Sequence, residues 1–278
     1  MRSTKPDSQL WPYLGIDLTD RYAKTPRPID VCGLRPESTG GCVVDFWQWT
    51  WDDDPSPLDV VPLTNELAPG VLALIDGPMA LAVPPNAVRE CERIARAVGR
   101  TGSVLPDSSA RVPFAGFIRS SIDLFDALDA AGIPLLSSAD PELGRAGEVY
   151  PGDLWAHLVR SLAKKTTRAG WEGRKTILGC LGVRFGNALK PGNHDRLDAC
   201  IGAVVAAALR GAIPGLSASP VGVPLARADG ILREGEMWRL VVESAEIRAK
   251  IAEAIGGRTP SPVPLRRKDI SSPPSASG

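Results

Sequence analysis

Five carboxylates stand out by position. Asp17 lies in the middle of an alternating segment, with Leu14, Ile16 and Leu18 on one side and Gly15, Asp17 and Thr19 on the other. That is the two-residue period of a strand, where an acidic residue in mid-run is unusual. Asp76 ends the apolar run Val71 to Ile75 and starts an Asp-Gly-Pro turn. Asp195 and Asp198 are three residues apart near the start of an alanine-rich helical segment, so they share one helix face. Glu148 sits at the end of a later short strand, in Gly147-Glu148-Val149-Tyr150. If these groups converge, their charges repel and their pKa values rise. A divalent cation relieves that repulsion. Mg²⁺ and Mn²⁺ prefer oxygen ligands, and two such ions roughly 4 Å apart can activate water and stabilise a leaving oxygen of a phosphodiester.

Each carboxylate also has a plain structural reading. Asp195 can simply favour the positive end of the helix dipole, and Asp76 can cap its turn. Glu148 can pair with an arginine. Asp198 lies one turn before Ile201, close to the apolar face, and Asp17 is the hardest to explain structurally. The shared-site reading is geometric. Carboxylates of Asp17 and Asp198 more than about 10 Å apart cannot serve one two-metal site.

The elements that must position these groups follow from periodicity. Strands are expected over residues 11–20, 28–35 and 42–51, joined by short turns, hence an antiparallel meander. Trp47, Trp49 and Trp51 share one face of the third strand, which suits a helix packing on the sheet better than stacking on bases. Asp52, Asp53 and Asp54 read as a solvated turn, and residues 58–67 as a short helix. The apolar run 71–76 suits a strand buried on both faces. Helices are expected over 86–98, capped by Asn86 and with Arg89, Arg93, Arg96 and Arg100 on the polar side, and over 118–131, ended by Gly132. Residues 99–114 read as a polar loop and 133–137 as a short strand. A strand over 147–151 runs into a helix over 152–164, with further helices over 171–181, 193–209 and 244–255. A last strand covers 237–242. Strands reached through helices should be parallel.

The carboxylate motifs resemble the domain-of-unknown-function 429 family, predicted nucleases of the RNase H fold. The likeness rests on Gly15-Ile-Asp17, Ile75-Asp76-Gly-Pro78, Glu148-Val-Tyr-Pro151 and His194-Asp195-Arg-Leu-Asp198-Ala, with Arg89-Glu-Cys-Glu-Arg-Ile-Ala-Arg96 and Leu232-Arg-Glu-Gly235 also similar. It spans about residues 14–242. It implies one RNase H-like α/β domain over residues 10–255, with a mixed sheet flanked by helices. It also implies a two-metal site in which Asp17, Asp76, Asp195 and Asp198 are ligands and Glu148 is an accessory catalytic group. Under this reading the protein is a metal-dependent nuclease using two Mg²⁺ or Mn²⁺ ions, and Asp17 bridges them. The family's late-strand tryptophan is matched here by Trp238, in Glu236-Met-Trp238.

Partner signals are local, because the formal net charge of the 278-residue chain is zero. Eight basic residues and a single acid, Glu172, fall between Arg160 and Lys190. Lys164, Lys165 and Arg168 are the candidates for contacting a nucleic-acid backbone, against the alternative of a solvated helical face. His194 is a candidate general base. The rival to a nuclease is a non-catalytic nucleic-acid or protein-binding module that keeps the fold. A hydrophobic share of 44% supports a full-sized core. Five scattered cysteines without a CxxC pair read as reduced, mostly buried thiols in a cytoplasmic protein. Residues 1–9 carry no signal-peptide core, and residues 256–278, rich in Pro, Ser and Gly, read as a disordered tail. The apolar run 199–209 is shorter than the roughly 20 residues a membrane helix needs.

Overall fold

A computed structural model describes residues 11–38, 40–51, 70–108, 113–186, 189 and 192–256. The expected N-terminal segment 1–9, the Asp52–Asp54 turn, the helix over 58–67 and the tail beyond residue 256 lie outside the described residues. Eight strands form one open sheet: β1 (Tyr13–Asp17), β2 (Ile29–Pro36), β3 (Cys42–Trp49), β4 (Leu72–Asp76), β5 (Ala146–Val149), β6 (Val183–Phe185), β7 (Leu216–Ala228) and β8 (Ile231–Val242). Six helices flank it: α1 (Glu90–Ala95), α2 (Ala115–Ala130), α3 (Pro151–Leu158), α4 (Arg168–Cys180), α5 (His194–Leu209) and α6 (Ala245–Ile255). The strand order is β6-β3-β2-β1-β4-β5-β8-β7. The meander β1-β2-β3 is antiparallel, and β4 pairs parallel to β1, β5 to β4, β6 to β3 and β8 to β5.

Alternation along β1 sorts its side chains between two cores. Leu14, Ile16 and Leu18 join Val31, Trp47, Ala73, Ile75, Phe125 and Leu128 on the α2 side. On the opposite face Cys32, Leu34, Phe46, Leu72 and Leu74 pack with α3, α4 and the almost wholly buried α5. Gly15 faces α5. A Cβ built on it would lie 1.8 Å from the Ala199 carbonyl oxygen, so only glycine lets the helix rest directly on β1. Burial of the tryptophan stripe agrees with its use as core. Trp47 is buried, Trp49 and Trp51 pack against the same cluster, and the Trp51 Nε1 donates to Thr19 Oγ1 at 2.8 Å. Four of the five cysteines are buried and all are free thiols.

Several sequence expectations are corrected. The helix expected over 86–98 is confined to α1. Its N-cap is Arg89 rather than Asn86, and Arg96 closes it in the left-handed conformation (φ 54°). Arg89, assigned to the polar side, is completely buried because two carboxylates surround it. Residues 133–137 form no strand, only a single bridge from Leu135 to Ala146. The helix over 152–164 stops at Leu158, where Val159 turns extended, so Lys164 and Lys165 lie in a loop rather than on a helical face. Strands β6 and β7 were not expected, and β8 begins at Ile231 rather than 237. Strand β7 carries Pro220 and Pro224, which a central strand would reject. It pairs only with β8 at the sheet edge, where a missing N–H costs little. Among the described residues no helix is long and apolar enough to cross a membrane.

Candidate metal centre

The site forms where the carboxyl ends of β1 and β4 meet the N-terminal turn of α5. Parallel pairing puts Asp17 directly in register with Asp76, each the last residue of its strand. Asn193 caps α5, its side chain accepting from the Arg196 N–H at 3.2 Å, which starts the helix one residue before Asp195. The close approach at Gly15 then carries Asp195 and Asp198 over the end of β1. Oxygen atoms of Asp17, Asp195 and Asp198 all lie within 4.8 Å of one another. This is well inside the separation that a shared site requires. Asp17 and Asp198 are buried, and Asp195 is partly exposed.

The carboxylates differ in the charges that answer them. Asp198 accepts from Trp155 Nε1 at 2.7 Å and from Lys165 Nζ at 2.8 Å. Asp195 accepts from Arg27 Nη1 at 2.7 Å, and Lys165 Nζ lies 3.9 Å away. His194 Nδ1 is 2.8 Å from Asp195 Oδ1 but lacks hydrogen-bond geometry, so it is a neighbour rather than a partner. Asp17 and Asp76 make no ion pair among the described residues. Burial pushes the Asp17 carboxyl well above the ordinary range, and the charges of Asp76, Asp198 and Asp195 push it further. Burial, then the Asp198 charge, raises Asp76 to about 8. Burial pulls Lys165 down, but the Asp198 charge and hydrogen bond, with Asp17 and Asp195, overcome it and hold the ammonium above the usual lysine value.

Glu148 stands apart from this group. Its neighbour in register on β4 is Ile75, not Asp76. Both its oxygens are taken by Arg89, Nη1 to Oε2 and Nη2 to Oε1 at 2.7 Å each, and Oε2 also accepts the Met79 N–H at 2.8 Å. Arg89 further donates to Glu92 Oε1 and to the Glu234 carbonyl. Glu148 therefore has its own counter-charge. Through Met79 it pins the chain just beyond Asp76. The arginine alternative for Glu148 is the one realised. Of the basic candidates, Lys165 reaches the carboxylates, while Lys164 and Arg168 are exposed in the loop and at the start of α4. Arg27 and Trp155, which hold Asp195 and Asp198, were not picked out from the sequence. Neither lies in a motif, and Arg27 is 168 residues from its partner.

The donor set suits a hard divalent cation, being all carboxylate oxygen. Fold and site together define an open mixed α/β sheet with a carboxylate cluster, at the ends of two neighbouring parallel strands, that can hold a metal ion. The chain belongs to the DUF429 family, described as proteins of unknown function, whose profile matches residues 29–220. That span includes Asp76, Glu148, Asp195 and Asp198 and begins after Asp17. No curated protein and no solved structure matches the chain.

Proposed function

We propose that this protein is a metal-dependent nuclease that hydrolyses phosphodiester bonds. The observation that carries the reading is the convergence of Asp17, Asp195 and Asp198 within 4.8 Å, with Asp76 in register beside Asp17. Asp17, Asp195 and Asp198 would hold one Mg²⁺ or Mn²⁺, and Asp17 with Asp76 a second, so that Asp17 is shared. When bound, such ions supply an activated water and offset charge on the leaving oxygen. The chain's own residues do the rest. Trp155 and Lys165 fix both oxygens of Asp198, and Arg27 fixes Asp195. Lys165, about half exposed, and Arg27, mostly exposed, place positive charge at the rim where a phosphate would arrive. Lys164 and Arg168 extend that rim and favour a polyanionic chain as partner. His194, beside Asp195, is a candidate to accept a proton from water.

Cleavage of labelled single-stranded and duplex DNA and RNA in Mn²⁺ or Mg²⁺ tests the reading. Wild-type protein is expected to cut at least one of these. Asp17→Asn is expected to lose cutting by at least about a hundredfold while keeping its far-ultraviolet circular dichroism, as loss of a charge-stabilising catalytic group does. Cutting by Asp17→Asn at the wild-type rate, or no cutting by either protein together with no Mn²⁺ binding, overturns it. Mn²⁺ binding without cleavage would point instead to a non-catalytic module.

A further inference from the structure

Beside the carboxylates is a cavity of about 410 Å³. Asp17, Asp76, Asp195, Lys165 and Arg27 line part of it. The rest of the lining mixes the buried Arg89, Glu92 and Glu148 with apolar and aromatic side chains. Phe117 and Ile118, at the start of α2, belong to one small hydrophobic cluster. Met237 and Tyr150 belong to another. Side chains of both clusters line the same cavity. Val98 and Phe114 line the same space, 72% and 48% exposed. Large apolar side chains left open beside a charged centre need an occupant. Phe114 is also held in the left-handed conformation (φ 65°), uncommon for a bulky residue and most often found at ligand sites. Its ring lies against Gly99, where a Cβ would come within 3.5 Å of it, and both residues line the cavity.

Resting on the nuclease reading, we infer that this cavity is a slot for one unpaired nucleobase, whose phosphate lies at the carboxylates and Lys165. The size decides for a single base. Ligand pockets of roughly 300–1,000 Å³ take small molecules, and this one is at the low end, too small for a base pair with its backbones. Among the lining residues Arg89 is paired with Glu92 and Glu148, and Phe114, Phe117 and Tyr150 offer aromatic surface that suits the face of a base. Stacking of that kind tolerates any base. The substrate class that follows is single-stranded nucleic acid, or a strand end or loop from which one nucleotide can be turned into the slot.

The test is a binding measurement, independent of cleavage. Adenosine 5′-monophosphate and ribose 5-phosphate carry the same phosphate and sugar and differ by the base. Titration calorimetry of each, with Ca²⁺ present, is run on wild type, Phe114→Ala and Val98→Asp, the last an exposed position where folding is spared. Wild type should bind the nucleotide roughly tenfold more tightly than the sugar phosphate, from stacking. In both variants that preference should fall below about twofold, with ribose 5-phosphate affinity unchanged in Phe114→Ala. Equal affinity for the two compounds in wild type, a preference that survives in both variants, or no binding of either compound overturns the slot. Ribose 5-phosphate binding without base preference leaves the carboxylate site standing. A base preference in a protein that cuts no nucleic acid leaves the slot standing and removes the nuclease reading.

Discussion

Replacing Arg89 by Met should destabilise the protein by about 4 kcal/mol at pH 7, and much less at pH 5. Arg89 is wholly buried, with Glu92 at 3% and Glu148 at 1% exposure. Removing one partner of a buried ion pair typically costs about 3–5 kcal/mol, because the remaining charge has no solvent. The structure sets the size more closely. Glu92 would still accept the Thr101 N–H at 2.9 Å, and its own turn would hold it. Glu148 would keep only the Met79 N–H. It can escape by taking up a proton. With an ordinary glutamate pKa near 4.3, that costs about 1.4 kcal/mol for each pH unit above it, or about 4 kcal/mol at pH 7 and about 1 kcal/mol at pH 5. Proton uptake raises its folded-state pKa above the unfolded value, so the penalty is absent at low pH and grows as pH rises. Urea unfolding followed by tryptophan fluorescence, at pH 5 and pH 7, measures both quantities. Arg89→Met combined with Glu148→Gln should regain about half of the loss at pH 7. A loss below about 1 kcal/mol at pH 7, or one of equal size at both pH values, would refute the account of Arg89 as the counter-charge of Glu148.

Two further predictions concern the acidic cluster and its support. In metal-free protein, Asp76, raised to about 8, keeps a proton that the unfolded chain sheds near pH 4, so its contribution to stability declines between those values by up to about 1.4 kcal/mol per pH unit. Urea midpoints in EDTA should therefore be higher at pH 5.5 than at 7.5. Since burial lowers His157 and gives it the opposite slope, the decisive comparison is with Asp76→Asn, which must show a smaller decline. Gly15→Ala should cost about 1–3 kcal/mol through overpacking and weaken Mn²⁺ binding as well, since α5 must lift off β1. Thermal unfolding and Mn²⁺ titration would contradict this if both stayed at wild-type values.

What could be read from the chain without coordinates follows a physical division. The segments around Asp17 and Asp76 were legible because one-residue alternation and a doubly buried apolar run are local properties. Once β1 and β4 are neighbours, the register that pairs the two aspartates follows. Helix α5 was legible for the same reason, from its Asn193 cap and continuous small apolar residues. The β7–β8 hairpin was not, because Pro220, Gly222 and Pro224 read as loop. Its signal lay in the turn: Asp229-Gly230, both at positive φ (53° and 74°), is a type I′ hairpin turn. The fate of Glu148 was also hidden. An arginine partner was conceivable from the sequence, but nothing local selects Arg89, 59 residues earlier, over the other arginines. The place of Lys165 depended on α3 ending at Leu158, six residues before the expected boundary, so that a loop and not a helix carries the lysine to Asp198.

The five carboxylates that looked equivalent in sequence are separated by what neutralises them. Glu148 has Arg89, Asp198 has Lys165 and the Trp155 indole, and Asp195 has Arg27. Asp17 and Asp76 form no ion pair among the described residues, and burial raises both carboxyls. A structural cluster would be expected to spread its cations evenly, since every unanswered buried charge weakens the fold. Here, among the described residues, the two aspartates without an ion pair are the pair fixed in register at the strand ends, beside the cavity. Both carboxyls are raised, so a divalent cation binding there competes with protons. Cation binding should release a proton and strengthen as pH rises from 6 to 8, whereas Lys165 need only shift along Asp198 to make room. Proton release measured in weakly buffered solution during Mn²⁺ titration distinguishes this from binding at Asp195 and Asp198 alone, which releases none from the Asp17–Asp76 pair.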